Sequence, residues 1–144
     1  MFLRSSDRIE RLAGVELFYG FSKSELRQID KRAKEVEVKA GRILAKEGEP
    51  GREFMLIVEG KARVERGGKV IARLRDGDLF GELSLIDGEP RNATVIADTP
   101  MVLLVVTKQA FGELMRSAPT LQRKVLIGVI ARLREANKRL SSLN

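Results

Sequence analysis

The stretch from about Val36 to Val106 constrains the fold most, because its apolar residues recur at period two and not at helical spacing. "FMLIVEG", "KARVER", "KVIARL", "NATVIA" and "MVLLVV" are short, strand-like runs, most of them rich in β-branched residues. Gly67-Gly68 has the form of a two-residue hairpin turn, and Gly48 with Pro50-Gly51, Asp76-Gly77 and Asp87-Gly88 mark further reversals. Short strands between regular turns predict an all-β sandwich or barrel. Within "KARVER" the alternation points Ala62 and Val64 inward. "MVLLVV" lacks alternation and reads as a strand buried on both faces.

Helical spacing brackets this region. Ser22 followed three residues later by Glu25 is a capping box, and Leu26, Ile29, Ala33 and Val36 follow at helical spacing. This predicts a helix around 23–34, and a second is expected around Arg4–Leu12. Thr107 is placed to cap a helix running to Met115, Ser117-Ala118-Pro119 interrupts it, and a longer helix is expected from Thr120 to Leu140. The 144 residues suit one domain with a real core, divided as helices over 1–35, strands over 36–106 and helices over 107–144.

Composition narrows the chemistry. There is no cysteine and no histidine, which removes thiol nucleophiles, imidazole bases, thiolate zinc sites and histidine-ligated metals. A cupin-like metalloenzyme, the obvious catalytic use of such a barrel, loses its ligands. No apolar run approaches a membrane span, and "MFLRSSDRIERLAG" carries charges where an export signal would be apolar, so a cytoplasmic protein is expected. The net charge of +7 arises mostly at one end: residues 121–144 hold six basic residues and one acidic, whereas 41–120 hold twelve of each. That distribution reads as a solvated or partner-facing helix surface and not as a nucleic-acid reader.

One stretch does not reduce to turn and strand signals. In "FGELSLIDGEPRNATVIA" (80–97), Glu82 and Arg91 flank a turn of mostly small or apolar residues. Gly81 allows close approach of a ligand to the backbone, and a short helix through "ELSLI" would aim its first amides at an anion. Arg91 offers a forked, permanently charged donor suited to phosphate oxygens. Glu82 cannot favour that anion, but it can accept from a sugar hydroxyl. An anion and a hydroxyl in one pocket suggest a nucleotide.

The same stretch closely resembles the phosphate-binding cassette of cyclic nucleotide-binding domains. That family occurs in cyclic-nucleotide-dependent kinase regulatory subunits, cyclic-nucleotide-gated channels and bacterial regulators of the catabolite-activator type. The resemblance extends over nearly the whole chain. "LFYGFSKSELRQI" resembles the family's N-terminal helix, "GRILAKEGEPGREFMLIVEGKARV" its β-roll, "LRDGDLFGE" the run into the cassette, and residues 107–140 its B and C helices.

The resemblance implies a mainly β fold, a β-roll of jelly-roll type with flanking helices and a cassette over 80–94. It implies that Arg91 binds the cyclic phosphate and Glu82 accepts from the ribose 2′-hydroxyl. The backbone amides of Gly81, Leu83 and Ser84, joined by Asn92 or Ala93, would line the phosphate and sugar. Val70, Ile71, Leu74 and Val95 become candidates for the base wall, and Arg132 and Leu133 for the lid from the C helix. Asn92 stands where the family usually has Ala, Ser or Thr. A hydroxyl there accompanies cGMP in the family and Ala accompanies cAMP, so cAMP is the favoured ligand here, with cGMP the alternative.

The expected function is that of a non-enzymatic regulatory sensor without a cofactor, in which nucleotide binding repositions the C-terminal helices. Two alternatives stand beside it: a sensory segment of a larger transcription regulator, kinase or channel, or a degenerate cassette serving only as an interaction module. A helix-turn-helix would have to follow the C helix, and the sequence ends at Asn144 before one, so direct DNA reading is not expected. In the last helix, Leu126, Ile130, Leu133, Asn137 and Leu140 follow four-three spacing, as in a coiled-coil seam, with Val125, Val129 and Ala136 left for the barrel side. A homodimer through this helix is the expectation, and the effector protein is unassigned.

Overall fold

The computed structural model describes residues 3–142, with the backbone alone for Ile86 and 139–142. Eight strands form two four-stranded antiparallel sheets that close into a β-roll. They are β1 (Lys34–Val38), β2 (Ile43–Ala45), β3 (Glu53–Glu59), β4 (Ala62–Arg66), β5 (Lys69–Leu74), β6 (Leu79–Phe80), β7 (Thr94–Ala97) and β8 (Met101–Thr107). One sheet has the order β1-β8-β3-β6 and the other β2-β7-β4-β5. The Gly67-Gly68 turn joins β4 to β5 with Arg66 paired to Lys69, as the sequence predicts.

Five helices flank the roll: α1 (Ser5–Ala13), α2 (Lys23–Asp30), α3 (Glu82–Asp87), α4 (Lys108–Ser117) and α5 (Pro119–Ser142); a 3-10 turn, Glu16–Phe18, joins α1 to α2. Both predicted caps form. Ser22 Oγ accepts from the Glu25 N–H at 3.1 Å while Glu25 returns the bond to the Ser22 N–H at 2.8 Å. Thr107 Oγ1 accepts from the Ala110 N–H.

The helix expected over 23–34 ends at Asp30, and Val36 belongs to β1. Tight bonds from Arg32 to Ile29 and from Ala33 to Asp30 close the last turn. "KEVEV" then alternates at period two and pairs with β8, so the helical spacing of Val36 is coincidental. Pro119 interrupts α4 but opens α5, at the first-turn position where its missing N–H costs nothing.

Two cores result. Between the sheets lie Met55, Ile57, Met101 and Leu103 against Ala45, Ala62, Val95 and Ala97, with Phe80 closing one end. On the other face of β3 and β8, Phe54, Leu56, Val58, Leu104 and Val106 pack under the helices, against Phe18, Leu26, Ile29, Phe111, Leu121 and Val125. Phe54 meets Phe111 edge-on at 5.4 Å, which adds to the burial. Each fully buried aliphatic side chain contributes about 1.5–3 kcal/mol, so the helices are held mainly by this second core.

A salt bridge adds orientation: Lys124 Nζ of α5 lies 2.5 Å from Glu25 Oε1 of α2. Lys124, with the Ser22 N–H, holds the Glu25 carboxyl below its ordinary range. Beyond Val129 the described side chains of α5 are exposed apart from Arg132. Leu126, Ile130, Leu133 and Asn137 are exposed, and so is Ala136, which corrects its assignment to the barrel side; the side chain of Leu140 lies outside the described residues.

Candidate functional site

The cassette is a strand, a short helix and a loop folded over the open end of the inter-sheet core. β6 enters it, and Gly81 turns the chain with φ +88° into α3. The turn needs glycine for two reasons. The left-handed conformation is strained for any other residue. A Cβ there would also stand 2.4 Å from Arg91 Nη1 and 2.9 Å from the Glu53 carbonyl oxygen. The α3 helix predicted through "ELSLI" forms over Glu82–Asp87. Its first amides, those of Glu82, Leu83 and Ser84, have no intrahelical acceptor.

Arg91 is buried. Its Nη1 donates to the Gly81 carbonyl at 3.2 Å and its Nη2 to the Glu53 carbonyl at 2.8 Å. The backbone is fixed as well, with the Arg91 N–H donating to Glu49 O and the Gly48 N–H donating to Arg91 O, both at 2.8 Å. No carboxylate of the described residues forms an ion pair with it. Burial lowers its pKa from the ordinary value, and the charges of Glu53 and Glu82 oppose that shift. The group is a buried cation bonded to neutral carbonyls.

Glu82 is buried too, and its Oε1 accepts from Arg132 Nη1 of α5 at 2.7 Å. Both predicted residues therefore line one cavity of about 160 Å³, with Leu83, Ser84, Asn92 and Ala93 around them. Ala45, Val64, Leu74 and Val95 from the second sheet complete it with Leu79 and Phe80. Of the four base-wall candidates, Leu74 and Val95 are in the wall.

Val70 and Ile71 are not, and at 47% and 48% exposed they correct that expectation. β5 is the outermost strand of its sheet, its residues 69–73 are all exposed, and its register against β4 shifts between Val64, paired with Ala72, and Glu65, paired with Val70. Leu133, 60% exposed, is likewise not in the wall. Arg132 and Leu133 are neighbours about 100° apart around the helix, so only Arg132 turns to the cassette. It reaches Glu82 and also lines an adjoining hollow of about 270 Å³ with Gly14–Leu17, Tyr19 and Gly77–Leu79.

Sequence reasoning missed Ala45 and Val64 as wall residues, although the inward alternation of Val64 was a usable signal. It read Gly51 as a turn residue only. A Cβ on Gly51 would stand 2.1 Å from Ser84 Cβ, so this glycine lets the loop before β3 lie flat on α3. Among the described residues, no cluster of three or more His, Cys, Asp or Glu is placed to hold a metal ion. No described helix is long and apolar enough to cross a membrane.

Comparison with known proteins points the same way as this geometry. The family described as "Cyclic nucleotide-binding domain" matches residues 35–118. The cAMP-dependent protein kinase regulatory subunit of Schizosaccharomyces pombe is 37% identical over 113 residues, covering 78% of this chain and 27% of that protein. The chain thus spans about a quarter of the length of the kinase subunits it matches, 27% and 22% of the first two. Among solved structures, a cyclic nucleotide-binding domain from Methylobacillus flagellatus aligns with TM-score 0.78 and 30% identity, over 97% of this chain and 84% of that one. The catabolite activator protein of Thermus thermophilus aligns with TM-score 0.74 and 29% identity, over 89% and 62%.

Proposed function

Since the chain belongs to the cyclic nucleotide-binding domain family, we propose that it binds a cyclic mononucleotide, cAMP in preference to cGMP, as a non-enzymatic sensor whose C-terminal helices respond to the ligand. The cytoplasm is its proposed compartment. The observation that carries this reading is Arg91: a buried guanidinium bonded to two carbonyls and lacking an ion-pair partner among the described residues, at the wall of a cavity. A charge taken out of water needs an opposite charge, and the cyclic phosphate supplies one. The amides of Gly81, Leu83 and Ser84, with Asn92 or Ala93, add donors to the phosphate and sugar. Glu82 keeps one carboxylate oxygen to accept from the ribose 2′-hydroxyl. Val64, Leu74 and Val95 face the base.

The test is calorimetric titration with cAMP, cGMP and 2′-deoxy-cAMP, with a melting curve for each variant. Arg91→Ala should cost roughly 2–5 kcal/mol, the range for removing one partner of a buried charge pair, or about 30-fold to several thousand-fold in affinity. Arg91→Lys should keep part of it, because a point charge cannot match a two-pronged contact. Glu82→Gln should cost less, and its penalty should shrink for the 2′-deoxy ligand. Unchanged affinity in Arg91→Ala ends the reading, and a collapsed fold returns Arg91 to a structural role. Failure of the wild type to bind either nucleotide favours the interaction-module alternative.

A homodimer through α5 is the second part of the proposal. Leu126, Ile130 and Leu133, at 57%, 40% and 60% exposed, find no cover on their own roll. Light scattering across micromolar concentrations should show mass rising above 16.1 kDa, and a constant monomer mass refutes it.

A further inference from the structure

We propose that the outer edge of β5 docks an extended, acidic segment of a partner protein, which adds to the sheet β2-β7-β4-β5 as a further strand. The proposal stands independently of the nucleotide reading.

The first support is the edge itself. β5 pairs with β4 alone and ends its sheet. A strand in that position presents a row of N–H and C=O groups with no neighbour. Beyond the ladder with β4, no hydrogen bond among the described residues engages the backbone of residues 69–74. The other strands that end a sheet are less available. β2 and β6 are three and two residues long, and β1 has the segment before α1 bonded to it, the Leu3 N–H donating to Glu35. β5 is six residues long, holds no proline, and exposes Val70 and Ile71.

The second support is charge. Residues 41–120 balance as a whole, but residues 61–75 hold six basic residues and one acidic, Glu65. Arg63 takes both Glu65 and Asp98. Arg73, its side chain 71% exposed, reaches Asp98 at 3.4 Å. Lys69 and Arg75, both exposed, form no ion pair among the described residues. The strand edge is therefore lined by cations that this chain leaves largely unanswered.

Together these features select the occupant. The edge offers donors and acceptors in alternation, and only another extended backbone matches both. A nucleic-acid phosphate would accept from the N–H groups and leave the carbonyls unmet, and residues 61–75 include no aromatic on which a base could stack. A second copy of β5 would set like charges against each other across the new pair, which is destabilising. An acidic segment gains where a second copy loses. Apolar side chains at alternate positions of that segment would cover Val70 and Ile71.

The test is fluorescence anisotropy with a labelled, end-blocked peptide of alternating glutamate and valine, about eight residues long to match an ordinary strand. The comparison probes are the lysine–valine peptide, the glutamate–valine peptide with its amides N-methylated, and a single-stranded oligonucleotide. The glutamate–valine peptide should bind saturably, and each of the other three should bind at least about tenfold more weakly. Lys69→Glu with Arg73→Glu should weaken the peptide about fivefold or more, since each change turns an attraction into a repulsion. Arg123→Glu with Arg134→Glu, an equal charge change at exposed positions of α5, should alter it less than about twofold. Melting curves check that both variants fold. In hydrogen exchange, saturating peptide should slow residues 69–74 and leave β8 unchanged.

Absence of peptide binding overturns the proposal. So does binding that leaves residues 69–74 unprotected, which would reduce the contact to charge alone. Tighter binding of the oligonucleotide would make the hairpin a nucleic-acid surface. Protection of residues 69–74 that rises with protein concentration alone would give the edge to a second copy, and either result refutes an acidic partner strand.

Discussion

The two sheets of the roll use similar residues for different ends. In the sheet β1-β8-β3-β6, β3 has five consecutive buried residues, because helices cover one face and the other sheet covers the opposite face. In the sheet β2-β7-β4-β5, residues 69–73 of β5 are all exposed, and only the inner face is covered. The cavity wall follows this division. Ala45, Val64, Leu74 and Val95 come one from each strand of the half-covered sheet, whereas the doubly covered sheet contributes only its short edge strand β6. A doubly covered sheet has no face left for a ligand. The half-covered sheet can yield part of its inner face at the open end without dismantling the main core. The main core and the cavity wall are thereby assigned to different sheets of one roll.

A pair of truncations sharpens that comparison most. Leu104 in β8 is 1% exposed, whereas Ile71 in β5 is 48% exposed. Leu104→Ala should cost about 2–5 kcal/mol, because transfer and cavity penalties add in a packed core. Ile71→Ala should change stability by about 0.5 kcal/mol or less. It should also leave cAMP affinity unchanged, since Ile71 does not line the cavity. Denaturant midpoints measure the first difference and titration the second. Comparable stability costs would break the division between the sheets.

The same division explains what the sequence alone could tell. "MVLLVV" announces a strand buried on both sides because both periodic faces are apolar, and β8 is such a strand, as is β3, whose run reads only as strand-like. Ser22-Glu25, Thr107 and Gly67-Gly68 act within three residues or so, and local chemistry of that kind survives in any tertiary context. The cassette was legible for a related reason. Gly81, Glu82 and Arg91 occur in a fixed order along one short segment, so their meeting in space needs little of the rest of the chain.

The wall was less legible. "KVIARL" is as apolar and β-branched as a core strand, and nothing within it reveals that β5 sits at an edge, where Val70 and Ile71 meet solvent. Val36 fitted two periods, and only pairing with β8 decided between them. The Arg132–Glu82 contact joins residues 50 positions apart. Its formation depends on how closely Gly128 lets α5 approach Leu17, which no spacing rule encodes.

The smallest expected effect lies where the half-covered sheet meets the cassette. Asn92 follows Arg91 at the entry to β7, its side chain is exposed, and its carbonyl accepts from Arg66 Nε of β4 at 2.9 Å. That bond fixes the backbone of Asn92 and leaves its side-chain amide at the rim of the cavity. The amide carries a donor and an acceptor but no hydroxyl. With no hydroxyl to answer the guanine amino group, cAMP should bind at least as well as cGMP. A hydrogen bond made to only one of the two bases is worth ~1 kcal/mol net, about fivefold in affinity. Titration of wild type and Asn92→Ala with both nucleotides should therefore give ratios within about fivefold of each other. The comparison of sheets is at stake here too. A wall that only buries the base cannot discriminate strongly, whereas a polar rim can. A clear cGMP preference that vanishes in Asn92→Ala would mean that the exposed amide reads guanine, and that the half-covered sheet carries specificity as well as burial.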